Sequence, residues 1–185
     1  MRKMRTALIT GANKGIGLEI ARKLVDEGFF VYIGNRDLQK GIETVKELAA
    51  EGLGTVDVVQ LDRSNQLSVD AARKEIGVKI DALDVLINNA AIIGDMPQSA
   101  LDYCLDSIKE MFETNDYESI RVVHAFFDLM IKSPKPRIVN VTCGLGPQAV
   151  SRGQCAKTAL NMYTINLAYD LRETNFNVNT VISVL

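Results

Sequence analysis

A short apolar run, Ala7-Leu8-Ile9, breaks into Thr10-Gly11-Ala12-Asn13-Lys14-Gly15-Ile16-Gly17 and then opens an amphipathic stretch at Leu18-Glu19-Ile20-Ala21. Strand, glycine turn and helix start follow one another in the order of a phosphate cradle. Glycines let backbone N–H groups approach a pyrophosphate, and the helix end adds its partial positive charge. That context sets this loop apart from an ordinary glycine-rich turn. It predicts a dinucleotide at Gly11, Asn13, Lys14, Gly15, Ile16 and Gly17.

The rest of the chain alternates strand and helix patterns. Strands are predicted over 6–10, 30–34, 55–60, 85–88, 137–141 and 178–184, and helices over 15–27, 38–50, 67–76, 101–131 and 152–174. Such βαβ succession argues an α/β fold with a parallel sheet covered on both faces. Right-handed crossovers and the early glycine turn favour a Rossmann-type doubly wound sheet of about six strands in order 3-2-1-4-5-6. With 185 residues and no linker or repeat, one domain over 1–185 is expected. A net charge of −2 leaves no nucleic-acid footprint. No run is long enough for a membrane span, and the basic start leads into the first strand rather than a targeting segment. Cys104, Cys143 and Cys155 lack metal-ligand spacing, so no metal is expected and a reduced, cytoplasmic setting is.

Charge bears on the choice of cofactor. A nicotinamide dinucleotide without a 2′-phosphate is usually held by a carboxylate at the end of the second strand. Here that strand ends Tyr32-Ile33-Gly34-Asn35-Arg36. Arg36 offers a planar fork suited to a phosphate, Lys14 adds a second cation, and Asp37 partly offsets Arg36. A dinucleotide carrying a 2′-phosphate, as NADP(H) does and NAD(H) does not, is therefore expected.

The glycine loop, Leu61-Asp62, Asn88-Asn89-Ala90, Asn115, Arg137-Ile138-Val139-Asn140-Val141 and Lys157-Thr158-Ala159-Leu160-Asn161 together resemble the short-chain dehydrogenase/reductase family, especially its carbonyl-reductase-like members. The resemblance runs through the whole chain in family order. It implies NADP(H)- or NAD(H)-dependent hydride transfer between carbonyl and alcohol. It also implies that Asp62 contacts adenine, that Asn88 and Ala90 line the adenine-ribose side and the floor, and that Lys157 holds the ribose. Asn115 matches the asparagine that positions a water behind the lysine, and Cys143 stands where a serine is expected. Gly153 occupies the place of the proton-donating tyrosine, so catalysis is expected to be impaired.

Other candidate donors are weaker. Tyr163 is expected to point away from Lys157, while Tyr103, Tyr117, Tyr169 and the sole histidine, His124, are expected to serve packing. Cys143 reads as a structural thiol. Further departures from the family are Ala91 for glycine, Arg63 for an apolar residue, the acidic run Asp116-Tyr117-Glu118, and a short substrate-lining segment over 144–152. If position 91 needed φ > 0, its Cβ would be strained. Relatives continue past the last strand into a substrate lid and a further strand, so an uncapped nicotinamide end and an apolar sheet edge are expected. Relatives pair through the helices equivalent to 101–131 and 152–174, so a homo-oligomer is expected too. Three readings stay open: a slow NADP(H)-dependent reductase of a small carbonyl substrate, a non-catalytic NADP(H)-binding pseudoenzyme, and a shortened or engineered scaffold.

Overall fold

Period-2 alternation sorts the strand side chains onto two faces. In β1 (Arg5–Thr10), Ala7 and Ile9 enter one apolar layer and Leu8 the other. The computed structural model describes residues 4–92, 104–143 and 152–183. Its remaining strands are β2 (Phe29–Asn35), β3 (Val56–Gln60), β4 (Val85–Asn88), β5 (Arg137–Cys143) and β6 (Asn177–Ser183). They form one sheet in the order β3-β2-β1-β4-β5-β6, and every neighbouring pair is parallel. The switch point lies between β1 and β4, where a doubly wound sheet opens a ligand crevice.

Helices α1 (Gly15–Asp26) and α2 (Leu38–Ala50) cover one face through Ala21 and Leu48. Helix α3 (Gln66–Lys79) and helix α5 (Glu118–Met130) cover the other through Ile76, Phe126 and Leu129. Helix α6 (Arg152–Asp170) joins that second layer through Tyr163 and Leu167. Two of the helix starts are capped. The Asp37 carboxylate accepts from the amides of Gln39 and Lys40, and the Asn65 side chain from those of Leu67 and Ser68.

The helix expected over 101–131 is interrupted. Residues Leu105–Phe112 form α4, Glu113–Tyr117 form one π turn, and α5 follows directly. An inserted residue widens the turn without ending the helix, so apolar periodicity resumes on the far side. The expected packing of His124 is not found. The α5 apolar stripe runs through Val122, Val123, Phe126, Leu129 and Met130, which leaves His124 exposed. Tyr117 and Tyr169, at 51% and 63% exposed, also lie outside the core. The backbone at Ala91 is not strained, because among the described residues only glycines have positive φ. Tyr103 and the segment 144–151 lie outside the described residues.

Candidate functional site

At the end of β1 the chain turns through Gly11, whose φ is +65° and whose amide donates to the Gly34 carbonyl. A Cβ on Gly11 would stand 2.6 Å from that of Ala90, and one on Gly17 would stand 2.5 Å from Asn89 Nδ2. The glycine loop is thus folded down onto the segment after β4. Asn89 fastens it there: its Nδ2 donates to the carbonyls of Thr10 and Gly11, both at 3.1 Å. Thr10 Oγ1 accepts in return from the amides of Asn89 and Ala90.

Helix α1 starts differently from α2 and α3. Its N-cap, Lys14, makes no side-chain capping bond, and the space a Cβ on Gly15 would enter is open. Lys14, Gly15 and Ile16 are exposed there and Gly17 is buried beneath them. Unsatisfied first-turn N–H groups beside a cation make an anion-binding end.

Next to this end lies a cleft of about 450 Å³, lined among others by Gly11, Asn13, Arg36, Lys40, Asp62 and Ala90. Arg36 is exposed and has no ion-pair partner among the described residues. The expected offset by Asp37 is reduced, because that carboxylate caps α2 and sits 3.7 Å from Lys40. One Asp62 oxygen, Oδ1, is occupied by the amide and hydroxyl of Ser64.

Asn88 does not reach this cleft with its side chain. It is 1% exposed, and its Nδ2 donates to Asn140 Oδ1 at 2.9 Å and to the Ser119 carbonyl at 3.5 Å. Asn140 Nδ2 in turn donates to Thr164 Oγ1. Asn88 thereby props up the cleft from below, while Asn89 meets the glycine loop. Strand alternation carried that signal: Leu86 and Asn88 face α5, whereas Ile87 and Asn89 face α1.

The residues that the resemblance names for chemistry lie on β5, α6 and the π turn. Asn115, fully buried, clamps Ile92 twice: Nδ2 donates to its carbonyl and Oδ1 accepts from its amide, both at 2.9 Å. Lys157 is 5% exposed, and its Nζ donates to the Val141 carbonyl at 2.8 Å. Asp116 is buried beside them with no partner for Oδ1, and burial pushes its carboxyl up against the opposing pull of the Lys157 charge. The Tyr163 hydroxyl is buried and unpartnered as well. Burial, then the Asp116 charge, pushes that phenol up to about 12. Tyr163 packs against the α5 layer, so it is a poor acid as well as a misplaced one. Gly153 lies on α6, four residues before Lys157, and Cys143 ends β5, with its side chain outside the described ones.

Two departures turn out to be one device. Arg63 and Glu118, each almost fully buried, form an ion pair at 2.9 Å. Burial lowers the guanidinium and raises the carboxyl, and each partner's charge opposes the other's shift. Among the described residues, no group of three His, Cys, Asp or Glu could hold a metal ion, and no helix is long and apolar enough to cross a membrane.

A family model described as short chain dehydrogenase matches residues 5–184. A (+)-neomenthol dehydrogenase of Capsicum annuum is 34% identical, the match covering 77% of this chain and 57% of the relative. Short-chain dehydrogenase/reductase 1 of Saponaria officinalis is 31% identical over 84% of this chain and 58% of its own length. The chain thus spans little more than half of the curated relatives it matches. The NADPH-bound carbonyl reductase from chicken fatty liver superposes with a TM-score of 0.84 at 27% identity, covering 97% of this chain and 79% of that structure. The RhlG/NADP complex of Pseudomonas aeruginosa does so at 0.85 and 26%, covering 96% and 71%. With that match over nearly the whole chain, these relatives and the strand order, this chain belongs to the short-chain dehydrogenase/reductase family.

Proposed function

We propose that the chain binds NADP(H) and that its chemistry is carbonyl/alcohol interconversion, slowed by the loss of the proton-donating hydroxyl. The observation carrying the reading is the contrast at the sheet's carboxyl ends. Helices α2 and α3 close their N-termini with Asp37 and Asn65, whereas α1 leaves its own open beside Lys14 and the unpaired Arg36. Such a site suits an anion. The pyrophosphate would lie on Gly11–Gly17, a 2′-phosphate against Arg36, and the adenine against Asp62.

The nicotinamide, when bound, supplies or accepts the hydride. The chain's part is to orient and to hold charge. Lys157 presents a buried cation at the end of β5, and Asn115 fixes the segment after β4 through Ile92. Gly153 cannot donate a proton where the family places its tyrosine, so activity resting on water or on Cys143 is expected to be slow. This same absence favours the second reading, a binding protein without turnover. Self-association belongs to the proposal, on the exposed Met162, Ile165 and Tyr169 of α6.

Calorimetric titration with NADPH and NADH tests the binding. Micromolar NADPH and weaker NADH are expected, and Arg36→Glu should cost NADPH about 10- to 100-fold, the worth of a charge-assisted bond. An unchanged preference in Arg36→Glu would remove the assignment of the 2′-phosphate. No binding of either dinucleotide by the folded chain would remove the reading altogether.

A further inference from the structure

The π turn at Glu113–Tyr117 carries Asn115, yet nothing in that stretch of sequence asks for a π turn. A widened turn is less favourable than continuous α-helix and leaves its carbonyls poorly aligned, so it persists where neighbours hold it. Those neighbours come from one place. Arg63, in the segment after β3, directs Nη2 to Glu118 Oε2 at 2.9 Å, and its Nη1 reaches the Thr114 carbonyl at 3.4 Å. Its own carbonyl accepts from Arg121, whose other nitrogen pairs with Glu113 Oε1 at 2.9 Å. Glu113, which opens the turn, and Glu118, which follows it, are both held in this way. On the other side of the turn, Asn115 holds both backbone groups of Ile92. Arg63, Glu118, Thr114 and Ile92 all line the cleft that receives Asp62 and Arg36.

A buried ion pair is weak evidence of stability, since a well-packed apolar pair at the same positions is often as good. Geometry is the better explanation for two charges, far apart in sequence, replacing two apolar residues of the family pattern together. We propose that Arg63 and Glu118 are positioning residues: by holding the π turn they aim Asn115 at Ile92. The adenine end of the cleft is thereby joined mechanically to the asparagine at its catalytic end. The inference deepens the dinucleotide-binding reading, but its test needs no ligand.

The experiment is amide hydrogen exchange on the full chain in its cofactor-free form. The Ile92 amide, which donates to Asn115 Oδ1, is followed beside that of Leu8 in the centre of the sheet. In Arg63→Leu/Glu118→Leu, Ile92 should exchange at least about tenfold faster, approaching Asn115→Ala, while Leu8 is unchanged. Glu118→Gln, which keeps the shape and removes the charge, should move Ile92 in the same direction and serves if the double variant fails to fold. Equal acceleration at Leu8 would mean that the pair only stabilises the fold. Unchanged protection of Ile92 in a folded variant would mean that it does not place Asn115. Either result overturns the proposal, and neither bears on whether NADPH binds.

Discussion

The sheet's two halves treat buried polar groups differently. Around β1–β3 the loops are closed by bonds: Asp37 and Asn65 cap helices and Ser64 occupies Asp62 locally, and Asn89, from the segment after β4, fastens the glycine turn. Among the described residues, one buried side-chain atom on that side has no partner, Asn35 Nδ2. Around β4–β6 there are four: Asn88 Oδ1, Asp116 Oδ1, Thr142 Oγ1 and the Tyr163 hydroxyl. That half also buries Lys157, Asp116 and Glu118, the last paired across the halves with Arg63 from the segment after β3. Unpaired buried polar atoms cost about 1–3 kcal/mol each, so a fold keeps them where something other than stability is being held. The β1–β3 half closes its polar groups, while the half around β4–β6 keeps buried polar atoms unpaired, which is what the proposed function expects of a binding half and a chemical half.

Putting the hydroxyl back is the strongest way to break this contrast. If the surroundings of Lys157 are still those of a working site, Gly153→Tyr should raise the rate of NADPH-dependent reduction of a quinone or activated ketone by about 10²–10⁴-fold. Stopped-flow absorbance of NADPH at fixed saturation would read it. No gain, with NADPH affinity kept, would show that the chemical half has lost more than one group.

A smaller effect tests the β1–β3 half. Gly17→Ala would place a Cβ 2.5 Å from Asn89 Nδ2 and 2.8 Å from the Gly11 carbonyl, and the latter is backbone that cannot step aside. Overpacking of this kind costs about 1–3 kcal/mol. Urea unfolding should show that loss, together with weakened NADPH binding as the loop lifts off the segment after β4. Unaltered stability would mean that the loop is looser than its bonds to Asn89 indicate.

The same division decides what could be read from the sequence. The strands are apolar runs bounded by turns, and right-handed crossovers with the early glycine turn imply their order, so the sheet is legible almost complete. Arg36, Lys14 and the glycines could be placed because their roles depend on neighbours in sequence. The π turn could not, since one inserted residue leaves the apolar stripe of α5 readable on both sides. Arg63 and Glu118 each stood out as a departure, but only the fold brings them to 2.9 Å. An asparagine doublet hides which side chain faces which way: that of Asn88 turns to Asn140 and Ser119, and that of Asn89 to the glycine loop. Strand alternation from Leu86 would have separated them.

The mildest test concerns the polarity left in the second half, and it reads out as pH dependence. Burial and the Asp116 charge push the Tyr163 phenol up to about 12 in the folded chain, whereas an unfolded tyrosine ionises near about 10. Between those values the unfolded chain gives up a proton that the folded chain keeps. The folded state binds more protons there, so stability must fall as pH rises through this window and level off above it. Tyr163→Phe removes the Tyr163 share of that slope and leaves the shares of Tyr32 and Lys79, whose ionisation the fold also shifts upward. It also removes a buried hydroxyl that has no partner, so its stability at neutral pH should be equal to or above that of the unaltered chain by about 1 kcal/mol or less. Asp116 acts in the same sense at the acid end: its raised carboxyl makes stability fall as pH rises above the ordinary aspartate range, and Asp116→Asn flattens that limb. Urea midpoints measured from pH 4 to 11 in the two variants separate these contributions. An alkaline slope left unchanged by Tyr163→Phe would mean that the hydroxyl is hydrated and that the half around β4–β6 is wetter than its burial implies. The contrast between the two halves would then rest on the charges around Lys157 alone.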